Sequence, residues 1–114
     1  MKLSPKQHGV VDYSSALSNL WLSRVVPSTM MGRRLLAGSA AGVTALSLVT
    51  DYELSLARLV PMKAHLTIDA MNGAMFLAAA LLLKQENARM KQTLIALGSF
   101  ALVVTALTNS AEPS

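Results

Sequence analysis

The heptapeptide Lys6-Gln7-His8-Gly9-Val10-Val11-Asp12 has a counterpart 57 positions later, Lys63-Ala64-His65-Leu66-Thr67-Ile68-Asp69, in which lysine, histidine and aspartate recur at the same relative places. Farther along, Leu48-Val49-Thr50-Asp51 corresponds to Ala106-Leu107-Thr108-Asn109 at an offset of 58, so the match reaches the far end of each half. Self-similarity at a fixed period is the signature of an internal duplication. The expectation is one domain over 1–114, made of repeat one (1–57) and repeat two (58–114), with the same local fold in each.

That local fold reads as a helical hairpin. Ser4, Pro5 and Gln7 make a capping-box start with proline at the first helical position, and the helix should run to about Arg24, ahead of Pro27. A second helix is expected from Ser28 or Thr29 to about Val49. A third should run from Pro61 to about Leu83, and the polar turn Lys84-Gln85-Glu86-Asn87 should lead into a fourth ending near Thr108. Between the halves, Thr50 and Glu53 satisfy a second capping box, and Tyr52, Leu56, Leu59 and Val60 share a face. This predicts a short interfacial helix over about 50–60, or an amphipathic connector if the core is a soluble one. Residues 109–114 are expected to fray.

Composition decides what surrounds these helices. Apolar residues make up 53% of the chain and charged ones 14%, against roughly 25% charged in soluble domains, and 35–49 and 93–107 carry no charge at all. The expected fold is an all-α, four-transmembrane-helix bundle of two tandem helical-hairpin repeats. The formal charge of +4 does not signal nucleic acid, because the basic residues sit at the ends of apolar segments and form no stripe with aromatics. The partner they imply is a lipid bilayer.

Two helices per repeat give both halves one orientation in the membrane, with their relating axis along its normal. Arg24, Arg33, Arg34, Lys84, Arg89 and Lys91 lie at the hairpin turns, and Lys2, Lys6, Arg58 and Lys63 at the other end. That bias puts the turns in the cytoplasm and the termini outside. Helix 1 carries His8, Asp12, Ser14, Ser15, Ser18 and Asn19, too polar for a cleaved signal segment. An aspartate in mid-membrane costs about 2.5–3.5 kcal/mol on insertion scales, so this helix must turn one face onto its neighbours.

The histidine and aspartate of each heptapeptide are four apart and share a helix face. If helices 1 and 3 meet, His8, Asp12, His65 and Asp69 converge, with Asn72 extending the network by a turn. Three uses fit: a structural network that satisfies itself and pins helix register, a divalent metal site or proton relay, or a site for an anionic lipid headgroup. Lys6 and Lys63 are expected to snorkel to the interface or to contact lipid phosphate, with Trp21 and Tyr52 as interfacial anchors. Gly38 and Gly42 form a GxxxG step expected to pack helices closely, within the bundle or in a homo-oligomer. The absence of cysteine excludes disulfides, thiolate metal sites and CxxC redox chemistry. No phosphate loop, nucleophile elbow or HExxH run is present.

Lys6-Gln7-His8-Gly9-Val10-Val11-Asp12-Tyr13 and the run Thr50 to Gly73 (TDYELSLARLVPMKAHLTIDAMNG) resemble the SPW-repeat family of small bacterial membrane proteins, over nearly the whole chain. The resemblance implies a two-helix membrane unit per repeat, His8, Asp12, His65 and Asp69 at recurrent polar positions, and a multi-pass protein of the bacterial inner membrane; it implies no reaction. Where the Ser-Pro-Trp tripeptides should stand, this chain has Asn19-Leu20-Trp21 and Ala78-Ala79-Ala80. The functional expectation is a non-enzymatic structural or interaction module. The alternatives are a metal- or proton-handling membrane protein and a soluble oligomeric helical bundle.

Overall fold

The computed structural model describes residues 3–50 and 55–108. Four helices account for most of them: α1 (Pro5–Val25), α2 (Met30–Val49), α3 (Met62–Leu82) and α4 (Ala88–Leu107). Each starts and stops within a residue or two of its expected position. Ser4 and Gln7 exchange the two capping-box bonds at the start of α1, at 2.9 and 3.1 Å. Thr29 and Asn87 cap α2 and α4 by accepting from Gly32 and Met90. Helix α3 starts behind Pro61 without a side-chain cap. The first helix of each half has 21 residues and the second 20. At 1.5 Å per residue each is about 30 Å long, within an elongated molecule of 43 × 26 × 18 Å.

Helix α1 lies along α2 and α3 along α4, as two hairpins, while α2 and α3 touch over a short stretch only. Helices α3 and α4 approach closely at Gly73 and Gly98. A Cβ on Gly98 would stand 2.6 Å from the Gly73 carbonyl oxygen, and one on Gly73 2.9 Å from that of Gly98, so only hydrogen fits at either place. Within the bundle the close approach expected at Gly38 and Gly42 is not made. A Cβ on either would meet nothing within 4 Å, because α2 and α3 diverge and the two glycines line a groove of about 340 Å³ between them.

The chain before each first helix runs beside the end of a second helix. Leu3 N–H donates to the Leu107 carbonyl at 2.7 Å, and Val60 N–H to that of Val49 at 2.8 Å. These segments satisfy carbonyls that a helix end leaves without partners, and they hold the start of α1 against the end of α4 and the start of α3 against the end of α2. Residues 55–60, expected to be helical, form bends and this bridge instead. Leu48 and Val49 bind them backbone to backbone, which competes with helical bonding. The rest of that expected helix, with Tyr52 and Glu53, falls at 51–54, outside the described residues.

The apolar core lies toward the hairpin turns, where Val26, Leu36, Phe76, Ala79, Ala80, Met90 and Leu94 cluster. At the opposite end the interior is polar, with His8, Asp12, Thr50, His65, Asp69 and Thr108 all buried. The outer surface reverses this. Leu17, Trp21, Met71, Leu81, Leu82, Phe100 and Val103 are exposed, Leu81 by 79%. Helices α3 and α4 are long and apolar enough to cross a membrane by length and composition.

Candidate functional site

The four side chains singled out by the repeated heptapeptide meet at the polar end. Helical spacing puts His8 over Asp12 on α1 and His65 over Asp69 on α3, at 3.1 and 3.0 Å between Nε2 and Oδ2. The shorter contacts run between the halves. His8 Nε2 lies 2.6 Å from Asp69 Oδ2, and His65 Nε2 2.5 Å from Asp12 Oδ2. The result is a closed ring of alternating imidazoles and carboxylates. The two imidazoles stand edge to face, 5.4 Å between centroids and 82° between planes.

The far nitrogen of each imidazole is held by a residue that sequence reasoning did not single out. His8 Nδ1 is 2.6 Å from Thr108 Oγ1, and His65 Nδ1 is 2.7 Å from Thr50 Oγ1. Both hydroxyls are also within 2.7 Å of a helix carbonyl four residues back, Val104 for Thr108 and Leu46 for Thr50. A carbonyl oxygen only accepts, so each threonine gives it the hydroxyl proton and accepts from the imidazole. Both Nδ1 atoms therefore carry hydrogen. Each Nε2 faces carboxylate oxygens, so a proton must lie between them there as well. With two shared protons the four groups carry no net charge, a set suited to burial. The signal that could have found the threonines was on view: Thr50 and Thr108 recur at the offset of 58.

Asn72 does not join this ring. Three residues past Asp69 on α3, its side-chain amide reaches α2 and exchanges hydrogen bonds with Ser39 there, at 2.9 and 3.2 Å. Beside the ring is a cavity of about 40 Å³, lined by His8, Asp12, Asp69, Asn19, Asn72 and Thr105 among others. The Asn19 Oδ1 and Thr105 Oγ1 atoms are buried without a protein partner. Lys6 and Lys63 are exposed on the first turns of α1 and α3, and Trp21 is 64% exposed near the turn end of α1.

A second link joins the halves at the hairpin turns. Glu86, between α3 and α4, accepts from Thr29 N–H at 3.0 Å, from Thr29 Oγ1 at 2.5 Å and from Ser28 Oγ at 3.1 Å. It caps the start of α2, where a carboxylate also meets the positive end of the helix dipole. Burial works against its charge, but the Thr29 and Ser28 donors outweigh it and hold the carboxyl below the usual glutamate range. Gly32 makes room: a Cβ there would sit 2.3 Å from Glu86 Oε2. In the same turn, Asn87 Nδ2 donates to the Pro27 carbonyl at 2.8 Å.

No known family, curated protein or solved structure matches the chain. The site's geometry therefore carries the functional reading.

Proposed function

We propose that this protein is a small multi-pass membrane module, non-enzymatic, in which two duplicated hairpins are clasped together by the His8/Asp69 and His65/Asp12 contacts. The observation that carries the reading is the inverted distribution of side chains. Imidazoles, carboxylates and threonine hydroxyls fill one end of the interior, while leucines, methionines, a phenylalanine and a tryptophan face outward along the helices. Water penalises both halves of that arrangement, whereas hydrocarbon favours an apolar exterior and accepts ionisable groups only when protein satisfies them. The equal helix lengths and the matching threonines agree with two copies of one unit, as in the SPW-repeat proteins it resembles.

In this reading the protein belongs to the bacterial inner membrane. The arginine-rich turns lie in the cytoplasm and the termini outside. Lys6 and Lys63 reach the interface on the outer side, Trp21 anchors the inner side, and a second copy or another membrane protein is the partner a module of this size would serve.

The test is fractionation combined with fluorescence. After carbonate washing the chain is expected in the membrane pellet, and in vesicles its single tryptophan, Trp21, should be quenched by brominated acyl chains near the headgroups. Recovery in the carbonate supernatant, with Trp21 quenched by aqueous iodide instead, would replace this reading with a soluble bundle that covers its apolar faces by oligomerising.

A further inference from the structure

We propose that His8, Asp12, His65 and Asp69 form a binding site for one divalent transition-metal ion. The inference rests on the reading that the ring clasps the two hairpins, and adds a ligand to it.

The donor set comes first. One nitrogen or oxygen from each of the four residues lies within 4.8 Å of all the others, and all four residues are buried. Two imidazole nitrogens and two carboxylate oxygens suit Zn²⁺, Co²⁺ or Mn²⁺, whereas Mg²⁺ and Ca²⁺ prefer all-oxygen shells. Donors about 2.0–2.2 Å from an ion stand about 2.8–3.6 Å apart, from a right-angled pair to a tetrahedral one. The 3.0 and 3.1 Å contacts within each helix already fall in that range. The contacts of 2.5 and 2.6 Å between helices would open by several tenths of an ångström as the protons leave.

The second argument concerns the other side of each imidazole. A histidine that binds a metal through Nε2 needs its Nδ1–H directed at an acceptor, which fixes the tautomer and strengthens the ligand. Thr108 and Thr50 provide those acceptors, and their own protons are committed to helix carbonyls.

Charge gives the third. The ring with its two shared protons carries no net charge, and neither do two neutral imidazoles, two carboxylates and one divalent ion. A divalent ion in place of those protons leaves the buried charge unchanged, which a monovalent or trivalent ion would not do. Next to the ring, the cavity of about 40 Å³ has room for a water molecule, and the unpartnered Asn19 Oδ1, in a residue 5% exposed, lines it. A water bound there could hydrogen-bond to Asn19 and occupy a further position on the ion.

The experiment uses the full chain in detergent micelles with Co²⁺ as the probe. Expected are visible absorption bands saturating at one Co²⁺ per chain, and displacement by Zn²⁺ but not by Mg²⁺. Thr50→Val and Thr108→Val keep all four donors and should each weaken Co²⁺ binding about 10- to 100-fold. No saturation at one ion, or affinity unchanged in the Thr→Val variants and in His8→Gln, would overturn the proposal. Metal-free melting separates this from the clasp: if His8→Gln melts lower without metal while the wild type binds no Co²⁺, the clasp stands and the metal site falls.

Discussion

The His8 imidazole and the Asp69 carboxylate, 61 residues apart in the chain, meet at 2.6 Å, and His65 and Asp12 return the same contact at 2.5 Å. Each hairpin thus supplies one base and one acid to the other. Among the described residues the most extensive helix packing between the hairpins is the short meeting of α2 with α3, so this exchange, the Glu86 cap and the bridges at the helix ends add to the joining.

Removing one member of the ring leaves its partners buried and unbalanced. His8→Ala and Asp69→Asn are each expected to lower stability by about 3–5 kcal/mol, the usual cost of breaking a buried ion pair. Because both act on one contact, the double variant should lose clearly less than the sum. Additive losses in a denaturation series would show that the two residues do not interact.

The threonines should behave as a matched pair. Thr50→Val and Thr108→Val each leave a buried imidazole N–H without an acceptor, at about 1–3 kcal/mol, whereas Thr50→Ser and Thr108→Ser should cost less than 1 kcal/mol. A melting-temperature drop confined to one of the two positions would contradict the equivalence of the halves.

Glycine substitutions test the helix crossings. Gly98→Ala drives a methyl group against the Gly73 carbonyl and should destabilise by about 1–3 kcal/mol. Gly38→Ala and Gly42→Ala, facing the open groove, should be neutral or gain up to about 1 kcal/mol from helix propensity. If unfolding measurements put the loss at Gly38 or Gly42 instead, the tight crossing has been assigned to the wrong helices.

Glu86 should add a pH dependence of its own. Its carboxyl titrates lower in the folded chain than in the unfolded one, so the stability it contributes is fully present above the ordinary glutamate range and is lost as pH falls through and below it. Glu86→Gln is expected to flatten that part of the curve of melting temperature against pH. An unchanged acid limb would remove Glu86 from the capping role.

Added Zn²⁺ gives a stability readout of the metal site. An ion that binds only the folded chain should stabilise it by about 2.7 kcal/mol when present at 100 times its dissociation constant. The melting temperature should rise with Zn²⁺ and return on chelation. No shift at saturating Zn²⁺ would argue against a metal site at the ring.

Much of this was legible from local signals. Ser4 with Gln7, Pro27, and the polar turn at 84–87 marked helix ends because capping, proline geometry and turn chemistry act over a few residues. The recurrence of His and Asp four apart named the four ring members. Other features depended on distant partners. Thr50 and Thr108 stood at matching places, but nothing nearby said that an imidazole would reach them. Glu86 looked like a turn residue, and its target is the start of a helix 57 residues earlier. Gly38 and Gly42 carried the familiar spacing, yet the tight crossing formed at Gly73 and Gly98, on different helices and with no spacing pattern to announce it.

By itself the sequence determined four helices, their ends, and two polar pairs each on one helical face, since these follow from backbone bonding and a period of 3.6 residues. Tertiary structure decided which pair faces which, which hydroxyl completes each imidazole, and which helices touch. Those outcomes turn on separations of a few ångströms between residues dozens of positions apart, and only the packed chain sets such distances.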